Sequence, residues 1–139
     1  MQLIRWSALL GVLGLGISLY LTVVHYTQGQ VPLVCATSGL VNCEQVTSST
    51  ESMVGPVPVA APGVVWFAVL LGVLASRPTS LLLLAWTAIG VAFVFYLMYA
   101  ELFLIGTICL WCTAVHVAVL GLFLLAVAQT SAESRELAA

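Results

Sequence analysis

The chain has 139 residues, of which 63% are hydrophobic and only 6% are charged, and its formal net charge is -2. So few charged side chains cannot cover the surface of a globular domain in water, and they provide no basic face for nucleic acid. Intrinsic disorder is excluded because the chain is strongly apolar. The composition therefore predicts a protein whose solvent is the lipid bilayer.

Four apolar segments are long enough to form membrane-spanning helices that satisfy their own backbone hydrogen bonds. They cover residues 3–24, 59–75, 80–100 and 105–128, and a tight turn at 77–79 joins the second to the third. Arg5 is a weak signal-peptide start and no small-residue cleavage pattern follows, so we expect the first span to be retained. The predicted fold class is an all-α membrane protein, a four-transmembrane-helix bundle in which residues 25–58 form a loop and residues 129–139 a polar tail.

The basic residues of the chain predict its orientation. The chain has three arginines, Arg5, Arg77 and Arg135, and no lysine. In a four-span arrangement the three arginines lie on one face. The positive-inside rule makes this face cytoplasmic. We therefore expect both termini in the cytoplasm, and the 25–58 loop on the extracytoplasmic side, in a periplasm-like or lumenal compartment where disulfides persist.

All four cysteines lie at or near this outer face. Cys35 and Cys43 are in the loop, and Cys109 and Cys112 form a C-x-x-C pattern predicted in the first turns of span four. Cysteines three residues apart on a helix share a face, so this pair can change between dithiol and disulfide with little backbone movement. The first thiol lies near the positive end of the helix dipole, which favours thiolate and so redox exchange.

The loop is predicted to contain a short helix. Asn42 is a good N-cap, and Gln45, three residues later, completes a pattern similar to a capping box, so the helix begins at Cys43. Cys43 then also lies at a helix N-terminus. Structural disulfides within each cysteine pair and a four-cysteine zinc site are the alternatives to redox exchange.

This arrangement resembles the vitamin K epoxide reductase family and its bacterial disulfide-forming homologues. The similarity runs from the first span to about Val119, and it includes the order of the two cysteine pairs. Another four-span, quinone-linked disulfide generator has the two pairs in the reverse order. The strongest stretches are Cys35 to Ser49, with Cys43-Glu44-Gln45-Val46 and Ser48-Ser49, and Tyr99-Ala100-Glu101-Leu102 through Ile108-Cys109-Leu110-Trp111-Cys112-Thr113-Ala114-Val115-His116.

The resemblance implies a quinone-dependent, disulfide-forming oxidoreductase of the bacterial inner membrane that needs no metal. A reduced thioredoxin-like protein of the periplasm or lumen would attack the Cys35–Cys43 disulfide at Cys35. Cys43 would then attack Cys109, and the freed Cys112 would reduce a membrane quinone. The sequence contains no thioredoxin-like segment, so we expect this partner to be a separate protein.

The quinone is expected among the outer halves of the spans, in an apolar pocket with a few polar groups. His116, one turn after Cys112 on the same face, is the expected donor to a quinone carbonyl, where the family often has tyrosine. A histidine bonded to a neighbouring helix is the alternative. Trp66 is expected to line the quinone ring or to anchor the chain at the membrane interface. The asparagine of the vertebrate enzymes is missing near Val59, so we expect a quinone of the menaquinone, ubiquinone or vitamin K type rather than the epoxide.

Several other residues have expected roles around the cysteines. Glu101, at the outer end of span three, is expected to be an interfacial, solvated carboxylate, with proton acceptance or a contact to the loop as alternatives. Ser48 is expected to cap the loop helix or orient the loop, and Trp111 to anchor or seal the site. A small four-span transporter and a membrane assembly protein with structural disulfides are the other functional hypotheses. The lack of an acidic residue at mid-membrane argues against the transporter.

Overall fold

The computed structural model of the chain describes residues 2–27, 30–35, 38–76 and 79–138, and these are mainly helical. The helices are α1 (Gln2–Tyr26), α2 (Cys43–Thr47), α3 (Ala60–Ala75), α4 (Ser80–Tyr99) and α5 (Leu110–Ala138). A 3-10 turn (Thr50–Ser52) and an antiparallel hairpin of β1 (Met53–Val54) and β2 (Val57–Pro58) follow α2, with Met53 opposite Pro58. A π-helical segment (Ala100–Ile105) continues α4.

Three stretches of helix are long and apolar enough to cross a membrane, namely α1, α4 together with the π-helical segment, and α5. The fourth apolar helix, α3, has only 16 residues. At 1.5 Å per residue it is about 24 Å long, which is shorter than a hydrocarbon core of about 30 Å. The described residues thus form an all-helical membrane protein, and the assignment of α3 as a fourth span stays a prediction.

The ends of α5 differ from those predicted for the fourth span. The expected start at residue 105 is wrong, because the π-helical segment continues to that residue and α5 begins at Leu110. Gly106 ends the π-helical segment with a φ of 74°, a left-handed conformation that glycine adopts without strain. At its other end α5 extends to Ala138, so the described part of the predicted polar tail is helical. Its alanine, glutamate, arginine and leucine residues favour helix.

The core lies where α3, α4 and α5 meet. The main contacts are of α1 with α3 and α5 and of α4 with α5, whereas α3 and α4 touch each other less. Helices α3 and α4 therefore leave space between them. The core side chains are Phe67, Leu70, Leu74, Leu83, Val94, Val119, Leu122 and Ala126.

The two cysteine pairs lie at one end of the bundle, which we call the cysteine end. It consists of the described residues of the loop between α1 and α3 and of the connection 106–109 between the π-helical segment and α5. Arg5 and Arg135 lie toward the opposite end, where Ser80 at the start of α4 donates a hydrogen bond to Glu133 near the end of α5. Arg77 and Pro78, and so most of the predicted turn, lie outside the described residues.

Gly14 allows α1 to approach α3 closely. A Cβ added at Gly14 would overlap the ring of Phe67, whereas a Cβ added at Gly16 would meet nothing within 4 Å. We expect Gly14→Ala to destabilise the protein by about 1–3 kcal/mol through overpacking. Gly16→Ala should preserve or slightly raise stability, because alanine favours helix. Thermal unfolding in detergent measures both, and equal melting temperatures for the two variants would contradict the close packing.

Candidate active site

Cys35 and Cys43 form a disulfide bond in the loop. Cys43 is the first residue of α2, and the side chain of its N-cap, Asn42, accepts a hydrogen bond from the Gln45 amide at 3.0 Å. The Gln45 side chain accepts from the Asn42 side-chain amide at 3.4 Å, while the Asn42 backbone amide donates to the carbonyl of Ile108. One residue therefore both caps α2 and attaches the loop to the segment before α5, in a variant of the capping box.

Cys109 occupies the N-cap position of α5, just before the helix rather than within its first turn. Its carbonyl accepts a hydrogen bond from the Thr113 amide at 2.9 Å, and its Sγ accepts one from the Cys112 amide at 3.3 Å. A sulfur atom thus takes the place of the oxygen that usually caps a helix. Cys109 and Cys112 are both free thiols in the structure.

The surroundings of Cys109 favour its thiolate. The hydrogen bond from the Cys112 thiol lowers the pKa of Cys109 below its ordinary value, and the backbone amides of Cys112 and Trp111 act in the same direction. Burial and the negative charge of Glu101 oppose this lowering. A thiol with a lowered pKa leaves more readily from a disulfide, so Cys109 is suited to be released as a thiolate.

The two cysteine pairs meet in one buried cluster. Cys43 and Cys109 each have 0% of their surface exposed and pack together with Val46. Cys35 and Cys112 pack against this cluster from its edges and are only partly buried. The pairs, which are far apart in the sequence, therefore share one site with two buried sulfurs in the middle.

Backbone hydrogen bonds hold the loop on the start of α5. The Ile108 amide donates to the carbonyl of Leu40 at 2.8 Å, and the Asn42 amide donates to the carbonyl of Ile108 at 3.1 Å. Val41 and Ile108 accordingly form a parallel bridge. The loop reaches the C-x-x-C motif through a short piece of sheet.

Glu101 is buried, with 6% of its surface exposed, so the expected solvated carboxylate is wrong. Its carboxylate can accept a hydrogen bond from the backbone amide of Cys109 and lies beside the thiol of Cys112. Its carbonyl accepts from the amides of Gly106 and Thr107. The π-helical turn and the reversal after it direct this side chain toward the thiols instead of toward solvent, and π-helical turns are frequent at functional sites.

A cavity of about 300 Å³ lies at the cysteine end, between α3 and α4. Small-molecule pockets range from about 300 to 1,000 Å³, so its size suits a single ring system. Cys112, Glu101 and His116 line one side, and most of the remaining wall is apolar. His116 is 5% exposed, and its side chain has no hydrogen bond to another of the residues that the structure describes. The alternative of a histidine bonded to a neighbouring helix is therefore not observed.

Trp66 lines the same cavity from α3. Its ring meets Phe67 edge to face at 4.9 Å and stacks on Trp86 at 6.2 Å between centroids. The Trp66 Nε1 atom is buried and has no hydrogen-bond partner within the described ranges. Trp66 thus packs inside the bundle and lines the cavity, and its contact with a quinone ring stays a prediction.

Ser48 is not among the residues that line the cavity. It is the C-cap of α2, and its hydroxyl donates to the carbonyl of Glu44 at 2.7 Å. Ser18, His25 and Glu51 do line the cavity, although the sequence did not point to them as site residues. The spacing of Ser7, Gly11, Gly14 and Ser18 marks a face of small residues on α1, which is a signal for Ser18. Glu51 is placed by the fold of the loop and has no local signal.

Within residues 2–27, 30–35, 38–76 and 79–138, no three His, Cys, Asp or Glu side chains are grouped closely enough to hold a metal ion. A loop disulfide docked on a C-x-x-C motif at the end of an apolar helix bundle defines a membrane protein with two adjoining thiol-disulfide pairs. Two adjoining pairs of this kind have the composition that thiol-disulfide exchange requires.

The family comparison agrees with this site. The vitamin K epoxide reductase family model matches residues 5–127, and the chain belongs to this family. The resemblance seen in the cysteine motifs is thereby confirmed. Membership indicates a membrane thiol-disulfide oxidoreductase of a family that uses quinones. No curated protein matches the sequence.

Proposed function

We propose that the chain oxidises the thiols of a separate, thioredoxin-like protein and passes their electrons to a membrane quinone, which supports disulfide bond formation. The net reaction converts two partner thiols into a disulfide and one quinone into a quinol. The observation that carries this proposal is the order of the four sulfurs. Cys35 lies at one edge of the cluster, Cys43 and Cys109 lie buried in its middle, and Cys112 lines the cavity.

The partner reduces the loop pair first. A partner thiolate attacks Cys35, the bond to Cys43 breaks, and the electron pair leaves on Cys43. A second partner thiol then attacks the partner sulfur of the mixed disulfide, which releases Cys35 as a thiol and completes the partner disulfide. Partial burial of Cys35, against 0% exposure of Cys43, supports attack at Cys35, because exchange requires access to the attacked sulfur.

The loop pair then reduces the C-x-x-C pair. Cys43 attacks Cys109 of an oxidised Cys109–Cys112 disulfide, and the electron pair leaves on Cys112. Cys35 attacks Cys43 next, which restores the loop disulfide and releases Cys109 as a thiolate, and the lowered pKa of Cys109 favours this release. The loop disulfide and two free thiols of the structure are the state that follows this step.

The cavity suits the quinone ring, for which we propose the menaquinone, ubiquinone or vitamin K type. Two electrons pass from Cys109 and Cys112 to the quinone, the quinone takes up two protons, and the Cys109–Cys112 bond forms again. In this proposal Glu101 accepts the proton of the Cys112 thiol beside it, and His116 donates a hydrogen bond to a quinone carbonyl. Trp66 forms part of the wall around the ring.

We place the whole chain as one domain in the bacterial inner membrane, with α3 as a fourth span and both termini in the cytoplasm. The positions of Arg5 and Arg135, away from the cysteine end, support this orientation. It puts the loop disulfide on the extracytoplasmic side, where a partner with reduced thiols can reach it and where disulfides persist.

Quinol formation by the purified protein in detergent tests the proposal. With a reduced thioredoxin-like protein and a soluble menaquinone or ubiquinone analogue, we expect quinol and partner disulfide to form in equal amounts. If no quinol forms with any of these quinones while the Cys35–Cys43 bond survives the reduced partner, the loop bond is structural. That result would favour a membrane assembly protein instead.

Replacement of His116 tests its contact with the quinone. We expect His116→Leu to raise the KM for quinone about tenfold, because a hydrogen bond to a carbonyl is lost. His116→Tyr restores a donor and should recover most of the affinity. Exchange between the two cysteine pairs should be unchanged in both variants. An identical KM for wild type and His116→Leu, measured over a range of quinone concentrations, would rule out the contact.

A further inference from the structure

Two aromatic side chains from different helices attach the segment before Cys35 to the bundle. The Tyr20 hydroxyl of α1 donates to the carbonyl of Pro32 at 2.9 Å and accepts from the amide of Val34 at 3.1 Å. Trp111 of α5 donates from Nε1 to the carbonyl of Val34 at 2.8 Å. The two rings lie 5.2 Å apart between centroids. Both backbone groups of Val34 are therefore bound by side chains.

These hydrogen bonds fix the chain at Val34, where side-chain packing contributes little. Val34 has 70% of its surface exposed, so its side chain contributes little packing. Leu33, which points the other way in an extended segment, packs against the cluster of Cys43 and Cys109. The direction in which the chain enters Cys35 is thus set by Tyr20, by Trp111 and by one apolar contact.

We propose that Tyr20 and Trp111 form a clamp that fixes Cys35 at the edge of the cluster and so makes Cys43, not Cys35, the cysteine that reaches Cys109. This inference rests on the proposed relay and adds two positioning residues to it. Once the loop disulfide is reduced, the segment that leads to Cys35 can change its direction if the clamp is absent. Both loop thiols then compete for Cys109. Bonding of Cys35 to Cys109 would occupy the sulfur that the partner must attack.

Disulfide equilibria measure this selection directly. In a Cys112→Ala background, Cys35→Ala leaves Cys43 with Cys109, and Cys43→Ala leaves Cys35 with Cys109. Each protein is equilibrated in glutathione redox buffers, and mass spectrometry gives the fraction with the intramolecular bond. The ratio of the two equilibrium constants is the preference of Cys109 for Cys43. Tyr20→Phe and Trp111→Phe are then added to both backgrounds, because each keeps a ring but loses the hydrogen bonds.

With the clamp intact, we expect a preference for Cys43 of about tenfold or more. Tyr20→Phe and Trp111→Phe should each lower this preference by about five- to tenfold, since each removes hydrogen bonds to the backbone of Val34 or Pro32. The matched controls are Tyr99→Phe and Trp6→Phe, which alter exposed aromatic residues outside the loop contacts. They should leave the preference unchanged.

An unchanged preference in both clamp variants would overturn the proposal, as would equal bonding of Cys35 and Cys43 with the clamp intact. Thermal unfolding shows whether each variant is folded. If Trp111→Phe does not fold, the result for Tyr20→Phe decides whether the clamp selects Cys43. These equilibria contain neither quinone nor partner. Failure to form quinol would therefore contradict the proposed function. The effect of the clamp variants on the preference of Cys109 for Cys43 is measured separately from quinol formation.

Discussion

Replacement of Cys112 by serine is expected to lower the rate of quinol formation by at least about a thousandfold. Cys112 is the cysteine that lines the cavity, whereas Cys109 has 0% of its surface exposed and is covered by the loop. Serine is close to cysteine in size but forms no disulfide, so the C-x-x-C pair can no longer be oxidised by the quinone. Spectrophotometric measurement of quinol formation gives the effect.

The same variant should retain exchange between the two cysteine pairs. Cys109 can still attack Cys43 of the loop disulfide, which forms a Cys43–Cys109 bond and releases Cys35, and mass spectrometry should detect this bond. Ala114→Ser is the matched control, because it adds the same hydroxyl at an exposed position two residues later. Quinol formation by Cys112→Ser within tenfold of wild type would contradict the assigned order of the cysteines.

Glu101→Gln is expected to slow quinol formation by about a hundredfold, the usual size of a lost proton transfer. The amide is nearly the same size as the carboxylate and can still accept hydrogen bonds from the Cys109 amide and the Cys112 thiol. It cannot take the thiol proton. Reduction of the loop disulfide by the partner should be unaffected, because that step occurs at Cys35.

Glu44→Gln provides the control for this change, since Glu44 is an exposed carboxylate on α2. It should leave quinol formation within about twofold of wild type, as for most surface substitutions. Two results would argue against a proton-accepting role for Glu101. One is a normal rate for Glu101→Gln, and the other is an equal loss for Glu44→Gln.

Short-range patterns were sufficient to predict part of this site. The α2 helix begins at Cys43, the residue that Asn42 and Gln45 mark as a helix start. Spacing alone also indicated that Cys109 and Cys112 would lie together. Each of these features depends on residues at most three positions apart, where helix geometry determines which side chains meet.

Other features depend on contacts that a local pattern does not contain. Residues 102–108 are mostly apolar, so the break between the third and fourth spans was predicted at 101–104, a few residues before the observed break at 106–109. Gly106 is its one local signal, as a glycine that follows a helix. The burial of Glu101 depends on that break. The hydrogen bonds that join Val34 to Tyr20 and Trp111 connect residues far apart in the chain, and no spacing rule predicts them.

The complete burial of Cys43 and Cys109 has a consequence for selectivity against bystander thiols. An attacking thiolate must approach a disulfide along the line of its S–S bond, and the packing around these two sulfurs blocks that approach for molecules in the surrounding medium. Within the proposed relay, electrons can then enter at Cys35 and leave at Cys112 but cannot be diverted between them. Unproductive side reactions with free cysteine or with oxygen are slowed during each turnover.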